Sequence, residues 1–251
     1  MASPDLIPPA ELITEHSGGI STEQFIAMGD EIVKHSLIGA AQLRPNGKIL
    51  DIGCGCGKIA RPLVPYLTQE GRYDGIDITH AAIDWCQLAY QGFGNFKFHL
   101  ADLQSSRYNA SGVQKASNYR FPFESATYDV IFLGSVFTHM IPEDASHYIN
   151  EIGRVLKPGG KCLATFFVLD DESRRNVLAK KTTPTFSHRF GEECRVESEA
   201  VPESAIAYDE TLIRKMYSAS GLSIDAINFG EWGRKRFIPH WQDEVWSSKP
   251  A

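Results

Sequence analysis

The sequence predicts an α/β fold in which a mostly parallel sheet is doubly wound, with helices on both faces. Three observations predict it. Apolar, β-rich runs alternate with helix-like stretches along most of the 251 residues. A glycine-rich turn, Gly53-Cys54-Gly55-Cys56-Gly57, follows the first clear apolar run directly. An acidic residue, Asp77, closes the next run, where an open sheet of this kind presents its ligand-binding edge.

The elements follow in order. "STEQFIAMGDEIVKHSLIGAA" reads as a helix with Ser21 or Thr22 as cap and Phe25, Met28, Ile32 and Val33 on one face. Strands are expected at 48–52, 72–77, 96–101, 128–133, 161–168, 223–229 and 241–247. A helix begins after Thr79 as its cap and sets Ile83, Cys86 and Ala89 or Tyr90 at helical spacing. Another runs from Pro142 and is stopped by Pro158-Gly159-Gly160. The segment "GEWGRKRFIPH" between the last two strands is too short for a helical crossover, so an antiparallel hairpin is expected there. Its basic cluster, Gly233 to Phe237, reads as a solvated loop, with contact to an anionic substrate as the sharper alternative. The stretches 104–123 and 181–210 fit no repeating unit, and loops this long in a compact domain are functional or disordered. The expected organisation is a single domain over 1–251, with a helical cap at 1–44 and substrate-side inserts at 104–123 and 181–210.

Composition narrows the function. With 43% hydrophobic and 22% charged residues the chain has the make-up of an ordinary globular protein. No apolar run approaches the ~18 residues that a membrane helix needs. The start, "MASPDLIPPAELITEH", lacks the basic and apolar regions of a secretory signal. A formal net charge of −6 offers no long-range attraction to nucleic acid or to an anionic membrane. Five irregularly spaced cysteines fit reduced thiols in a cytoplasmic protein. The oligomeric state is not legible.

The glycine-rich turn admits three readings. A metal centre needs about four ligands at set spacings, whereas Cys54 and Cys56 have no second pair and Cys86, Cys162 and Cys194 are scattered; no metal is expected. A dinucleotide fingerprint needs G-x-G-x-x-G/A. In register with Gly53 and Gly55 its last position falls on Lys58, and in register with Gly55 and Gly57 on Ala60, so that reading is weakened and stays open. The third form is Asp-x-Gly-x-Gly-x-Gly. In it Asp51 is acceptor-only when ionised, suited to an ammonium and poorly suited to a pyrophosphate. Asp77 then stands where a ribose diol would lie, or merely caps the helix that follows.

At these residues the chain resembles a class I S-adenosylmethionine-dependent methyltransferase of the small-molecule type. "ILDIGCGCG" is similar to that family's first motif, "YDGIDIT" to its second and "HLADLQ" to its third. "FPFESATYDVIFLGSVFTHM" resembles the strand-four segment, and "EIGRVLKPGGKCLATFF" the helix and strand that follow. The resemblance covers about residues 29–168. It implies a Rossmann-like, seven-stranded sheet with the last strand antiparallel, in agreement with the expected hairpin. It also implies S-adenosylmethionine as cofactor, S-adenosylhomocysteine as product, Asp77 as ribose ligand and Asp102 as acceptor for the adenine amino group. Asp51, Gly53, Cys54, Gly55, Gly57, Ile78, Leu103 and Ser135 complete the expected cofactor set.

Methyl transfer from a sulfonium is an in-line displacement, to which a protein contributes mainly proximity and alignment. A hydroxyl nucleophile also needs a proton acceptor. His139, just past the fourth strand, is the candidate base; its bland alternative is a residue of the pocket wall or helix start. His147, His188 and Tyr208 are weaker candidates. The chain lacks the Asn/Asp-Pro-Pro-Tyr/Phe element of enzymes that methylate amino groups of nucleobases and glutamine, and an evident spaced set of acids for Mg²⁺. The expectation is metal-independent methylation of a small molecule, with a hydroxyl favoured and N- or C-methylation as alternatives. Phe25, Met28, Phe137 and Tyr208 are the expected acceptor contacts. An NAD(P)-dependent oxidoreductase and a non-catalytic cofactor-binding protein remain as readings of other classes.

Overall fold

The computed structural model describes residues 6–234 and 240–251. Helix α1 (Ala10–His16) and helix α2 (Thr22–Glu31) precede the first strand. Ser21 caps α2 with a reciprocal capping box to Gln24, as its sequence position suggests. The helix then widens into a π-helical segment, Ile32–Ala40, instead of running on regularly. Phe25 and Val33 of the expected apolar face are buried, but Met28 is exposed.

A seven-stranded sheet follows. Its strands are β1 (Lys48–Ile52), β2 (Arg72–Asp77), β3 (Phe96–Leu100), β4 (Tyr128–Leu133), β5 (Leu156–Phe166), β10 (Ser223–Asn228) and β11 (Asp243–Ser248). They lie in the order β10-β11-β5-β4-β1-β2-β3. β1 and β2 pair in parallel, as do β2 and β3, while β11 is antiparallel to both β5 and β10. The last strand is therefore the antiparallel one, and the expected hairpin is present. Helices α3 (Ala60–Leu63), α4 (His80–Ala89) and α5 (Pro142–Val155) intervene between these strands. Three of the seven expected strands match to the residue, and the rest shift by one or more residues at an end. The largest shift is at β5, which already begins at Leu156, ahead of Pro158-Gly159-Gly160.

The chain divides into two compact units. The first comprises Met1–Asp102 and Tyr128–Phe132. Its core joins Ile49, Leu50 and Ile52 of β1, Tyr73 and Ile76 of β2, and Ile83, Cys86 and Tyr90 at α4, all buried. Tyr73, Tyr90, Phe93, Phe96 and Phe98 form a chain of ring contacts with centroids 4.9 to 6.1 Å apart.

The second unit comprises Leu103–Thr127 and Leu133–Ala251. Here the stretch 181–210 departs from the expected irregular insert. With β6 (Val168–Leu169) it builds a second, four-stranded sheet from β7 (His188–Phe190), β8 (Cys194–Val196) and β9 (Ile206–Asp209), in the order β6-β9-β8-β7. β9 is buried at all four positions. Helix α6 (Asp171–Leu178) starts beside this sheet with Asp170 in a capping box, and α7 (Glu210–Ala219) follows β9. Phe167, Leu169, Val177, Phe186, Ala205, Ala207 and Trp232 form one buried cluster beneath it.

The basic cluster 233–237 is described only at Gly233 and Arg234; its remaining residues lie outside the described part of the chain. Arg234 is not solvated. Its side chain is wholly buried, with Nη1 donating to Asp243 Oδ1 at 3.2 Å and Nη2 2.9 Å from Asp170 Oδ2. Asp243 accepts three further bonds, from the backbone N–H of Val168 and Gly230 and from Trp232 Nε1. Burial still pushes its carboxyl up to about 6.

Candidate functional site

The glycine-rich turn belongs to the first unit. The N–H groups of Gly53 and Cys54 both donate to the Ile76 carbonyl, at 2.8 and 3.0 Å, which ties the turn to the end of β2. Gly53, Gly55 and Gly57 all have positive φ, 75°, 50° and 86°. At Gly55 a side chain is disfavoured twice, by that φ and because a Cβ would lie 3.2 Å from the His16 carbonyl oxygen at the end of α1.

Asp77 locks the turn from the other side. Its Oδ2 accepts from the Gly55 N–H at 2.7 Å, and its Oδ1 from the Thr79 N–H and hydroxyl at 2.9 and 2.6 Å. Thr79 occupies the N-cap position of α4, but its side chain makes no cap bond, because its hydroxyl is turned to Asp77. The helix-start reading of Asp77 is what this geometry shows. Asp77 organises the helix start, and a carboxylate with roughly four acceptor positions still has one left.

Asp51 is buried at the end of β1 and accepts a 2.6 Å hydrogen bond from the Tyr73 hydroxyl. Burial pushes its carboxyl up to about 7, against the pull of that hydroxyl and of the Lys58 charge. Burial pushes the Lys58 ammonium down, and Asp51 is the main charge that opposes this.

The cysteines go separate ways. Cys54 packs on β2, where a Cβ at Gly75 would come within 2.8 Å of its sulfur. Cys56 approaches the Ser17 hydroxyl at 3.7 Å and joins Ile13, Phe25 and Ala82 in a buried cluster. Cys86 points its thiol at the Gly55 carbonyl, 3.6 Å away. Burial pushes all three thiols up. Among the described residues no group of three or more His, Cys, Asp or Glu is arranged to hold a metal ion.

Of the other expected cofactor residues, Ile78 and Asp102 are half-buried in the first unit. Leu103 is buried in the second unit and bridges to Gln114. Ser135, also in the second unit, has φ of 60°, a left-handed backbone rare outside glycine. Its N–H donates to Thr165 Oγ1 at 2.7 Å, and its hydroxyl and that of Thr165 both donate to Gln242 Oε1.

His139 lies in a short 3-10 turn, Phe137–His139, of the second unit. Its Nδ1 is 3.0 Å from the Glu203 carbonyl oxygen. A carbonyl only accepts, so Nδ1 carries the hydrogen and Nε2 of the neutral ring is the acceptor. Tyr108 meets the ring edge-on at 5.6 Å. Burial, then the Arg107 charge, push the imidazole down to about 4, so it is neutral throughout the physiological range. The two inserts close this arrangement. Ser106 donates to the Glu203 carboxylate through its N–H and hydroxyl, and Arg107 Nη1 donates to the Ser204 carbonyl at 2.6 Å.

The expected acceptor contacts are placed differently. Phe25, Phe137 and Tyr208 have no exposed surface. Phe25 sits in the Cys56 cluster, Phe137 stacks on Phe166 at 4.6 Å, and Tyr208 donates its hydroxyl to the Met140 carbonyl. Their faces are spent on core packing. Met28 is 42% exposed on α2. The weaker base candidates are structural or superficial: His147 is held to the Tyr119 carbonyl at 2.8 Å, and His188 lies 3.4 Å from an exposed Glu199.

Residues 50–164 match the family model described as a methyltransferase domain. By that match this segment is a methyltransferase domain, and the class I fold it shares implies S-adenosylmethionine as cofactor. The dinucleotide alternative for the turn falls with that match. Over 149 residues the chain is 25% identical to an O-methyltransferase of Pyrenophora dematioidea, covering 58% of this chain and 49% of that protein. Over 142 residues it is 29% identical to a sterol 24-C-methyltransferase of Gibberella zeae, covering 57% and 32%. The chain spans only 5 to 49% of the length of the first curated relatives that it matches. Among solved structures, an S-adenosylmethionine-dependent methyltransferase from Clostridium acetobutylicum shares the fold, with a TM-score of 0.59 at 13% identity over 96% of this chain and 97% of that one.

The turn of the methyltransferase domain fits its cofactor. It has three positive-φ glycines, of which Gly53 is exposed and Gly55 and Gly57 are buried, and a carboxylate with an acceptor position to spare. Two residues that abut the turn, Tyr90 through its hydroxyl at Gly57 and His16 through its backbone carbonyl at Gly55, have a buried hydroxyl and buried ring nitrogens with no hydrogen-bond partner. Sequence reasoning missed His16, Tyr73, Lys58, Arg107 and Glu203. Tyr73 and Lys58 become visible only once the strand register and the helix start are known. Arg107 and Glu203 lie in inserts with no periodic pattern to place them.

Proposed function

We propose that this methyltransferase domain methylates a small-molecule hydroxyl, with His139 as the proton acceptor. Bound S-adenosylmethionine supplies an electrophilic methyl group on a sulfonium. In this reading Asp77 accepts from the ribose, Asp102 accepts from the adenine amino group, and Asp51 faces the ammonium of the amino-acid tail. The exposed backbone at Gly53 admits the tail without a side chain in the way. The organisation of 1–251 as one methyltransferase domain, with inserts on the substrate side, belongs to the same proposal.

The observation that carries the hydroxyl reading is the state of His139. The Glu203 carbonyl fixes the Nδ1–H tautomer, which leaves the Nε2 lone pair to take a proton, while burial and Arg107 make the ring a weaker base than a free imidazole. The name of the Pyrenophora relative points the same way. A second reading, C-methylation of a small metabolite, is favoured by the names of two other relatives, the sterol methyltransferase and a ubiquinone/menaquinone C-methyltransferase of Wigglesworthia glossinidia brevipalpis.

Transfer of a labelled methyl group, screened over alcohols, phenols, amines and carbon acids, separates them. The hydroxyl reading expects turnover with alcohols or phenols, and His139→Ala lowering kcat by about 10²-fold or more with little change in cofactor affinity. Turnover confined to carbon acids, or a normal rate in the variant, contradicts it.

A further inference from the structure

We propose that His16 is a ligand for the amino-acid tail of the cofactor, donating a hydrogen bond to its carboxylate. The inference rests on the S-adenosylmethionine reading of the glycine-rich turn and adds a residue from outside every motif of that turn.

Four observations place it. The His16 backbone carbonyl lies 3.2 Å from where a Gly55 Cβ would be, so the end of α1 sits directly over the turn. The adjoining Ser17 hydroxyl is 3.7 Å from Cys56 Sγ, and Ile13 of α1 packs with Phe25, Cys56 and Ala82, which fixes α1 there by apolar burial. Both ring nitrogens of His16 are buried with no hydrogen-bond partner. The nearest acid, Glu15, is exposed and 3.8 Å from Nε2, too far for a hydrogen bond.

A buried polar atom without a partner destabilises the ligand-free state, and the His16 imidazole has two such atoms. A ligand in the turn relieves this, and charge balance says which part of the ligand. Asp77 and Asp102 are acceptors suited to the nucleoside. Asp51 is an acceptor suited to the tail ammonium, and Lys58 is electrostatically engaged with Asp51. The tail carboxylate still needs a donor, and the unpartnered imidazole at the end of α1, whose backbone abuts the turn, supplies one. Gly18 and Gly19 follow α1 with φ of 77° and 76° and open space around them. They give the chain a sharp reversal that lets α1 fold back onto the turn.

Calorimetric titration with two nucleosides tests this. S-adenosylhomocysteine carries the tail, and 5′-methylthioadenosine has the same nucleoside and sulfur without it. His16→Ala is expected to bind S-adenosylhomocysteine about tenfold more weakly and to leave 5′-methylthioadenosine within about twofold, with His16→Gln recovering most of the loss. Thermal melting without ligand checks that each variant is folded. Unchanged S-adenosylhomocysteine affinity in His16→Ala overturns the proposal, and so does an equal loss for both nucleosides, which is the mark of a merely structural role. Failure of the underlying cofactor reading is visible separately, as wild-type protein that binds neither nucleoside.

Discussion

Asp51 shows how one buried carboxyl links stability to pH. Its folded pKa, about 7, lies above that of an exposed aspartate. Between about pH 4 and 7 the folded state therefore holds a proton that the unfolded chain has released, and the group's contribution to stability falls as pH rises through that window. The slope is at most about 1.4 kcal/mol per pH unit for one proton. Asp51→Asn removes it. Relative to wild type, the ligand-free variant should melt higher at pH 8 than at pH 5, and a difference that is the same at both pH values contradicts the assignment. His139 has the opposite sign, since its folded pKa lies below the ordinary histidine value and its contribution to stability rises with pH from about 4 to 6.5. If it is the base, the acid limb of kcat/KM lies near pH 4; a limb near 6.5 that vanishes in His139→Ala would show an imidazole free of the Arg107 charge.

At the scale of elements, the small sheet β6-β9-β8-β7 is the part that sequence patterns hid. β7 and β8 have three residues each, too short to display the alternation that identifies a strand. Their place is set by long-range pairing, of β8 with β9 and of β7 with β8. The buried carboxylate of Asp243 holds the start of β6, the Gly230–Trp232 segment and the Arg234 guanidinium together. Arg234→Ala leaves that charge buried without its cation. The expected cost is about 3–5 kcal/mol by chemical denaturation. Adding Asp243→Asn should restore part of it, because the uncompensated charge is then gone. A cost below about 1 kcal/mol would mean that the guanidinium is exposed in solution, since that is the range of surface ion pairs.

For the whole molecule, the strand positions were legible as β-rich runs between turn residues, and the antiparallel last strand from the short connection before it together with the family resemblance; the order of the strands was not. The turn and its acids were legible because glycines and a strand-terminal Asp77 have fixed places in such a sheet. Contacts between distant segments were not legible. The His139–Glu203 bond joins residues 64 positions apart, and the carbonyl–glycine approach of His16 to Gly55 depends on the path of the backbone. Phe25, Phe137 and Tyr208 were assigned to an acceptor wall by proximity to motifs, but large aromatics contribute most to a core when fully buried, and there they are. In the proposed reading acceptor choice turns on the inserts, which carry least pattern.

The central claim is that the turn takes S-adenosylmethionine and not a dinucleotide. Calorimetric titration of the wild-type chain and of Asp77→Ala with S-adenosylhomocysteine and with NAD tests it most directly. The expected result is one-to-one binding of S-adenosylhomocysteine by wild type, at least about tenfold weaker in the variant where a charged acceptor is lost, and no heat with NAD. Tight binding of NAD with no response to S-adenosylhomocysteine would contradict it.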